Sequence, residues 1–334
     1  MSSLKQIAEA AKVSVATASR ALRGHPNVAP ETTAAVQRAA RRLKYEPNPR
    51  ISSLMSYVRS SAETNFRETL GFIWPDADAQ EVRNSYYLKR FETGARDRAR
   101  KLSYGMDVFY HDHKEGRDWR NLERILRARS IRGLVWGPVL RSSHAHLTMP
   151  LETHASAAIG EGFVYPRLSH TRFDHFVGMR TALHQLKRRG FRRIGFALDL
   201  ALNVRATPIL LACFATAGAR SASRPKSLCF QAEVLTPDNV LSWVRKTKPD
   251  AVLLSQDINE LASLPKHPSV TWPMKIFSLN RLNKETLFSG IDQRQDLIAS
   301  HACDLVLEQL NRNEFGVPEH SKIVLVEGEW QDRE

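Results

Sequence analysis

One short stretch near the amino terminus holds side chains of the kind that read nucleic-acid bases: Val15, Ala16, Thr17, Ser19, Arg20 and Arg23. On a helix that begins at Val15 these share an outward face, and Ala18, Ala21 and Leu22 share the inward one. An element that enters the major groove needs small side chains that fit, methyls and hydroxyls that touch base edges, and an arginine that grips guanine with two donors. Charge agrees with that chemistry. Residues 1–60 carry ten Lys and Arg against three Asp and Glu, so a net +7 of the chain's +14 lies in its first sixth, as binding to phosphate requires. A small helical bundle with a solvated basic face has the same composition, so these residues alone leave both readings open.

The elements that would position this face are legible around it. Leu4, Ile7, Ala8 and Ala11 fall at i, i+3, i+4 and i+7 and predict a first helix, with Ser3 and Gln6 spaced as a capping box. After a break at Lys12-Val13-Ser14, Ser14 is placed to cap the second helix, Val15 to Arg23. Pro30 suits a first helical position, and Val36, Ala40 and Leu43 mark a third helix that ends near Tyr45, before Pro47. The spacing predicts an all-α, three-helix helix-turn-helix unit.

Four runs carry a family resemblance: Leu4-Lys5-Gln6-Ile7-Ala8, Val13 through Leu22, Asn27-Val28-Ala29-Pro30-Glu31-Thr32, and Tyr45-Glu46-Pro47-Asn48-Pro49. In this order and spacing they resemble the head-piece of the LacI family of bacterial transcriptional regulators. The resemblance implies base reading by Val15, Ala16 and Arg20, supported by Thr17 and Ser19. It also implies a hinge over Asn48-Pro49-Arg50-Ile51-Ser52-Ser53-Leu54-Met55, helical when two chains meet on DNA, with Leu54 as a wedge in the minor groove. Asn48 and Arg50 join the expected DNA contacts. The hinge is too short for a stable helix alone in water. Three positions depart from the family pattern. Lys12 replaces the usual turn glycine and would need a left-handed backbone. Ala29 replaces a Ser or Thr cap, a loss of roughly 0.5–2 kcal/mol, and Ile51 stands where alanine is common.

The remaining chain has ordinary globular composition, 42% hydrophobic and 25% charged. No signal-peptide pattern opens it, and no apolar run nears the ~18 residues of a membrane span. Cys213, Cys229 and Cys303 lack CxxC spacing, so reduced thiols in a cytoplasm are expected. No metal or cofactor signature is present: His111, His113, His144 and His146 do not form a converging ligand set. Nor is there a GxSxG element, a P-loop or a recognisable carboxylate pair, which argues against an enzyme.

From Thr69 onward strand-length apolar runs alternate with helical patterns. Strands are predicted at 70–74, 106–110, 133–136, 193–197, 250–254 and 275–279, with helices at 86–102, 119–129, 176–189, 209–217 and 297–310. Such alternation predicts parallel sheets covered by helices. Leu70 to Asp76, Arg132 to Val135, Gly190 to Gly195 and Ser289 to Gln293 again resemble the family, which implies an α/β, two-lobed periplasmic-binding-protein-like domain. Its implied cleft residues are Tyr86, Tyr87, Arg205, Asn280 and Arg294, with Glu161 a further candidate. Arginine at 294, near a place where sugar-binding members often have aspartate, points toward an acidic ligand or none.

The expected organisation is a DNA-binding domain over residues 1–46, a hinge and linker over 47–65, and an effector-binding and dimerising domain over 66–334. Lobe 1 is expected at about 66–170 and 291–315, and lobe 2 at about 171–290 and 316–334. The expected partners are double-stranded operator DNA, a second copy of the chain and a small effector, a carbohydrate or sugar acid, with no membrane. The alternative is a DNA-binding regulator whose cleft is structural.

Overall fold

The computed structural model describes residues 4–22, 29–42, 68–111, 119–141, 145–201, 206–216, 226–282 and 285–333. The chain forms two compact units, Met1–Thr64 and Asn65–Glu334.

The first unit contains α1 (Leu4–Ala10), α2 (Val15–Leu22) and α3 (Pro30–Arg42). They enclose a small core of Ile7, Ala8, Ala18, Ala21, Val36, Ala39 and Ala40. Alanines predominate because three short helices must approach closely, and Ile7 and Val36 supply the bulk, about 1.5–3 kcal/mol each on burial. Lys12 does take the left-handed backbone, at φ 53°. Ser14 caps α2: its Oγ accepts from Thr17 N at 3.1 Å and lies 2.9 Å from Thr17 Oγ1. At Ala29, which has no hydroxyl to offer, the carbonyl accepts both Thr33 N (3.0 Å) and Thr33 Oγ1 (3.3 Å). The predicted Ser3 cap, the end of α3 beyond Arg42 and the hinge lie outside the described residues.

The second unit is built on two six-stranded sheets. The first consists of β1 (Thr69–Trp74), β2 (Gly105–Tyr110), β3 (Gly133–Trp136), β5 (Ala155–Ile159), β7 (Ser169–Phe173) and β13 (Ile323–Val326). Its order is β2-β1-β3-β5-β7-β13, and every pairing is parallel. A short ribbon of β4 (Ala145–His146) and β6 (Phe163–Tyr165) accompanies it. The helices of this half are α4 (Ala79–Asn84), α5 (Tyr86–Lys101), α6 (Trp119–Ala128) and α10 (Gln295–Arg312). Alternate residues of β1 serve two cores: Leu70, Phe72 and Trp74 pack with Phe91 and Ala95 of α5, whereas Ile73 packs with Leu126 of α6. Burial on both faces is why such strands read as unbroken apolar runs.

The second sheet consists of β8 (Ile194–Asp199), β9 (Cys229–Ala232), β10 (Ala251–Leu254), β11 (Lys275–Ser278), β12 (Ser289–Asp292) and β14 (Glu329–Gln331), in the order β9-β8-β10-β11-β12-β14. Only β14 runs antiparallel. With it go α7 (His175–Arg188), α8 (Thr207–Thr216) and α9 (Pro237–Thr247). The sheets divide the chain differently from the expected lobe limits. β7 keeps the first lobe going to Phe173, β12 keeps the second going to Asp292, and β13 returns residues up to Val326 to the first. No helix among the described residues is long and apolar enough to cross a membrane.

The chain passes between the sheets three times, after Phe173, after Asp292 and after Val326. Each crossing leaves the carboxyl end of a parallel strand. The carboxyl edges of both sheets therefore meet at the junction, the place where open α/β sheets bind ligands.

Candidate nucleic-acid interface and strand-end site

In the first unit the backbone of α2 carries Val15, Ala16, Thr17, Ser19 and Arg20 on one continuous helix. Burial of Ala18 and Ala21 fixes which side faces inward. Thr17 is half-buried and its hydroxyl is engaged by Ser14, so part of its hydrogen-bonding capacity serves the helix start. Arg23, Asn48, Arg50 and Leu54 lie outside the described residues.

In the second unit the predicted strand-end residues do not share one environment. Tyr86, the first residue of α5, is open to solvent, with the Arg90 guanidinium carbon 5.9 Å from its ring centre. Tyr87 is half-buried against the core and stands edge-on to Phe91 at 5.3 Å. Glu161, after β5, forms an ion pair with Arg172 Nε at 2.8 Å. Arg294 adopts a left-handed backbone at φ 56° and begins α10. Its guanidinium meets Glu329 at 2.6 Å and Asp296 at 3.5 Å. Its positive charge is thus already balanced within the protein, which removes the reason for expecting an acidic ligand there. Arg205 lies outside the described residues.

Asn280 is different. It is buried just beyond β11, and its side-chain Oδ1 has no partner among the described residues. Its carbonyl accepts from Asp257 N at 3.1 Å, which brings the loop after β10 alongside. Asp257 is equally buried: one carboxylate oxygen accepts Leu282 N at 2.9 Å, and Oδ1 has no partner among the described residues. Two adjacent strand ends therefore present two unfilled acceptors. A buried acceptor left empty costs about 1–3 kcal/mol, so such a pair is a site for a donor. Asp257 lies three residues past a legible strand, and that position was its only signal in sequence. Gln295, the first residue of α10, is also buried, and neither amide atom has a partner among the described residues.

Other strand-end carboxylates are consumed by the fold. Asp76, after β1, accepts Leu140 N at 2.9 Å and Arg141 N at 2.7 Å, and Asp199, ending β8, accepts Leu235 N at 2.9 Å. Glu81 pairs with Arg141, whose hydrogen bond holds its carboxyl below the usual value. Arg90 donates to Asp292 Oδ1 at 2.7 Å and Asp296 Oδ1 at 2.6 Å. Burial works to lower the Arg90 pKa, but the bonds and charges of the two aspartates outweigh it and raise it. Burial likewise raises Asp296, and Arg90 and Arg294 more than reverse this, leaving its pKa lowered.

Residues 3–48 match the family model described as bacterial regulatory proteins, lacI family. The head-piece is thus of the LacI-family type. Solved structures extend the likeness of fold beyond this segment. One is the transcriptional regulator CelR in complex with cellobiose, 16% identical, with 99% of this chain and 98% of that one covered at a TM-score of 0.52. Another is the lac repressor dimer bound to operator and the anti-inducer ONPF, 14% identical over 98% and 97%, with a TM-score of 0.52. A LacI-family regulatory protein from Chloroflexus aggregans is 15% identical over 78% of this chain and 96% of its own, at 0.54. No curated protein sequence matches the chain. The two-sheet unit thus has the two-lobed, periplasmic-binding-protein-like fold that the family resemblance implies.

Proposed function

We propose that this LacI-family regulator acts as a dimer, a repressor on a palindromic operator, with a small neutral ligand rich in hydroxyl donors bound at the strand-end junction. Residues 1–46 read the operator, 47–65 form the hinge, and the rest binds effector and partner copy. The observation that carries the DNA reading is the family match over residues 3–48, which contains the whole of α2. Within it Val15, Ala16 and Arg20 read bases, Thr17, Ser19 and Arg23 support them, and Asn48, Arg50 and Leu54 engage the operator centre. The ligand reading rests on the empty acceptors of Asp257 and Asn280. Cellobiose in the CelR complex supports a carbohydrate, with Tyr86 and Tyr87 offering ring faces to its apolar side. Of the two classes read from sequence, carbohydrate and sugar acid, the neutral one fits better, because Arg294 is already paired with Glu329.

A second reading is a regulator without an effector, its strand-end residues being structural. The ion pairs of Glu161 and Arg294 favour it; the unfilled Asp257 and Asn280 oxygens oppose it. The deciding experiment is selection from a random DNA pool, repeated with neutral sugars and sugar acids. A palindromic site whose recovery shifts with a neutral sugar supports the first reading. A palindromic site indifferent to every compound supports the second, and no enriched sequence overturns both.

A further inference from the structure

The three crossings between the lobes are packed on one another. A Cβ built on Gly328, in the third crossing, would fall 2.6 Å from the Asp292 carbonyl in the second and 2.8 Å from the ring of Phe173 at the first. Arg90, from outside the crossings, reaches into this knot. Arg90 lies one turn into α5, which packs on α10 and on strands of the first sheet. Its guanidinium holds Asp292, the last residue of β12 in the second sheet, and Asp296, in the first turn of α10.

Each aspartate is tied further. Asp292 Oδ1 also accepts Arg294 N at 2.9 Å, and its Oδ2 accepts Gln331 Nε2 of β14 at 3.2 Å. Arg294 joins Asp296 to Glu329, the first residue of β14. A single connected network thus joins α5, the second crossing and the strand that follows the third. Its centre is largely out of water, with 17% of the Arg90 side chain and 12% of that of Asp292 exposed. Poor screening makes these charges interact strongly, and removal of one partner strands the other.

We infer that Arg90 is a latch across the lobe junction, fixing the angle between the lobes by clamping the end of β12 and the start of α10 onto α5. The forked guanidinium is what suits it to this task. It satisfies two carboxylates in one plane, whereas a lysine ammonium is a point charge without that geometry. Tyr86 lies beside the same guanidinium, so a ligand that engages Tyr86 acts on the latch directly. That last step alone rests on the effector reading above; the latch itself does not.

The test is hydrogen exchange on the intact, ligand-free protein, comparing the natural chain with Arg90→Met and the milder Arg90→Lys. With a latch, amides at 292–298 and 327–331 exchange about tenfold faster or more in both variants, while the interiors of β1 and β10 keep their protection. Unchanged exchange at the crossings in both variants overturns the latch. So does a uniform rise across the unit in Arg90→Lys, since that reports general loosening. Operator binding with the neutral sugar found by selection then separates the two readings. Crossings that loosen in Arg90→Lys with an unaltered sugar response leave the latch standing and remove only its link to the ligand.

Discussion

His175 makes the second unit sensitive to mild acid. It is the first residue of α7, directly after the first crossing, and its ring stands edge-on to Phe173 at 5.2 Å. Nδ1 is sealed from water with no partner among the described residues. Burial, seconded by the Arg172 charge and opposed by Asp174, pushes the imidazole down from 6.5 to about 4. Because the folded pKa lies below the unfolded one, the unfolded chain takes up the proton first. Stability is therefore full above about pH 6.5 and is lost as the pH falls toward 4. The whole displacement corresponds to about 3 kcal/mol as an upper bound, since part of the ring surface still meets solvent. Between pH 7.5 and 5 the loss is roughly 2 kcal/mol, a large share of the 5–15 kcal/mol typical of a domain. Urea unfolding read by tryptophan fluorescence measures it cleanly, because all six tryptophans fall in the second unit. His175→Gln cannot titrate, so its loss over the same pH interval should be smaller by roughly 2 kcal/mol. His154 and His170, also lowered by burial, act equally in both chains and cancel in the comparison. Equal acid losses in the two proteins would refute the assignment.

Three further outcomes are expected. Arg20→Ala relaxes base preference at one operator position, whereas Arg50→Ala weakens binding across all sequences and lowers the salt slope by about 1; equal, sequence-independent losses from both remove Arg20 as a base reader. Asp257→Asn can keep the bond from Leu282 N by turning its amide oxygen to it, but it takes the charged acceptor from the ligand. Calorimetric titration with the selected sugar should show a Kd about 10- to 100-fold weaker, and an unchanged Kd takes Asp257 out of the site. Gly94→Ala puts a Cβ 2.2 Å from the Asp296 carbonyl oxygen, where α5 and α10 touch through backbone. The helices must part, at about 3 kcal/mol, and Tm by tryptophan fluorescence should fall by about 6 °C or more. A Tm within a degree or so of the natural chain's contradicts that contact.

What sequence reveals of this fold follows from how local each signal is. The helix-turn-helix is legible because its cap, its breaks and its apolar spacing all lie within a turn or two of one another. Strands β1, β3 and β10 are legible because burial on both faces makes them unbroken apolar runs. β5 and β7 escape the same test. Ala155-Ser156-Ala157-Ala158-Ile159 is wholly buried yet small, since α10 packs on it. Ser169-His170-Thr171 looks like surface, but Thr171 Oγ1 donates to the Ile298 carbonyl at 2.9 Å and Ser169 Oγ accepts Lys322 N at 3.0 Å. Those partners lie over a hundred residues away, where no local window reaches. α9 does carry a local signal, Thr236 and Asn239 in a capping box with Pro237 at the start. The candidate site divides along the same line. Position after a strand marks Asn280, but only the fold shows that Asp257 joins it and that Arg294 is claimed by Glu329.

Charge leads to the same division of labour. Many arginines of the second unit are answered within it: Arg98 by Asp304, Arg129 by Asp107, Arg141 by Glu81, Arg172 by Glu161 and Arg189 by Asp332. An arginine already held by a carboxylate offers little to phosphate, because each new contact must first give up the old one. The first 60 residues hold half of the net charge with only three acidic side chains among them, too few to answer ten cations. The electrostatic attraction for DNA is therefore concentrated in the head-piece, and operator affinity should depend on salt through its cations. Neutralising Lys187, Arg188 and Arg192, the densest basic run of the second unit, should leave that salt slope unchanged. A reduced slope would mean that the second unit also grips the duplex.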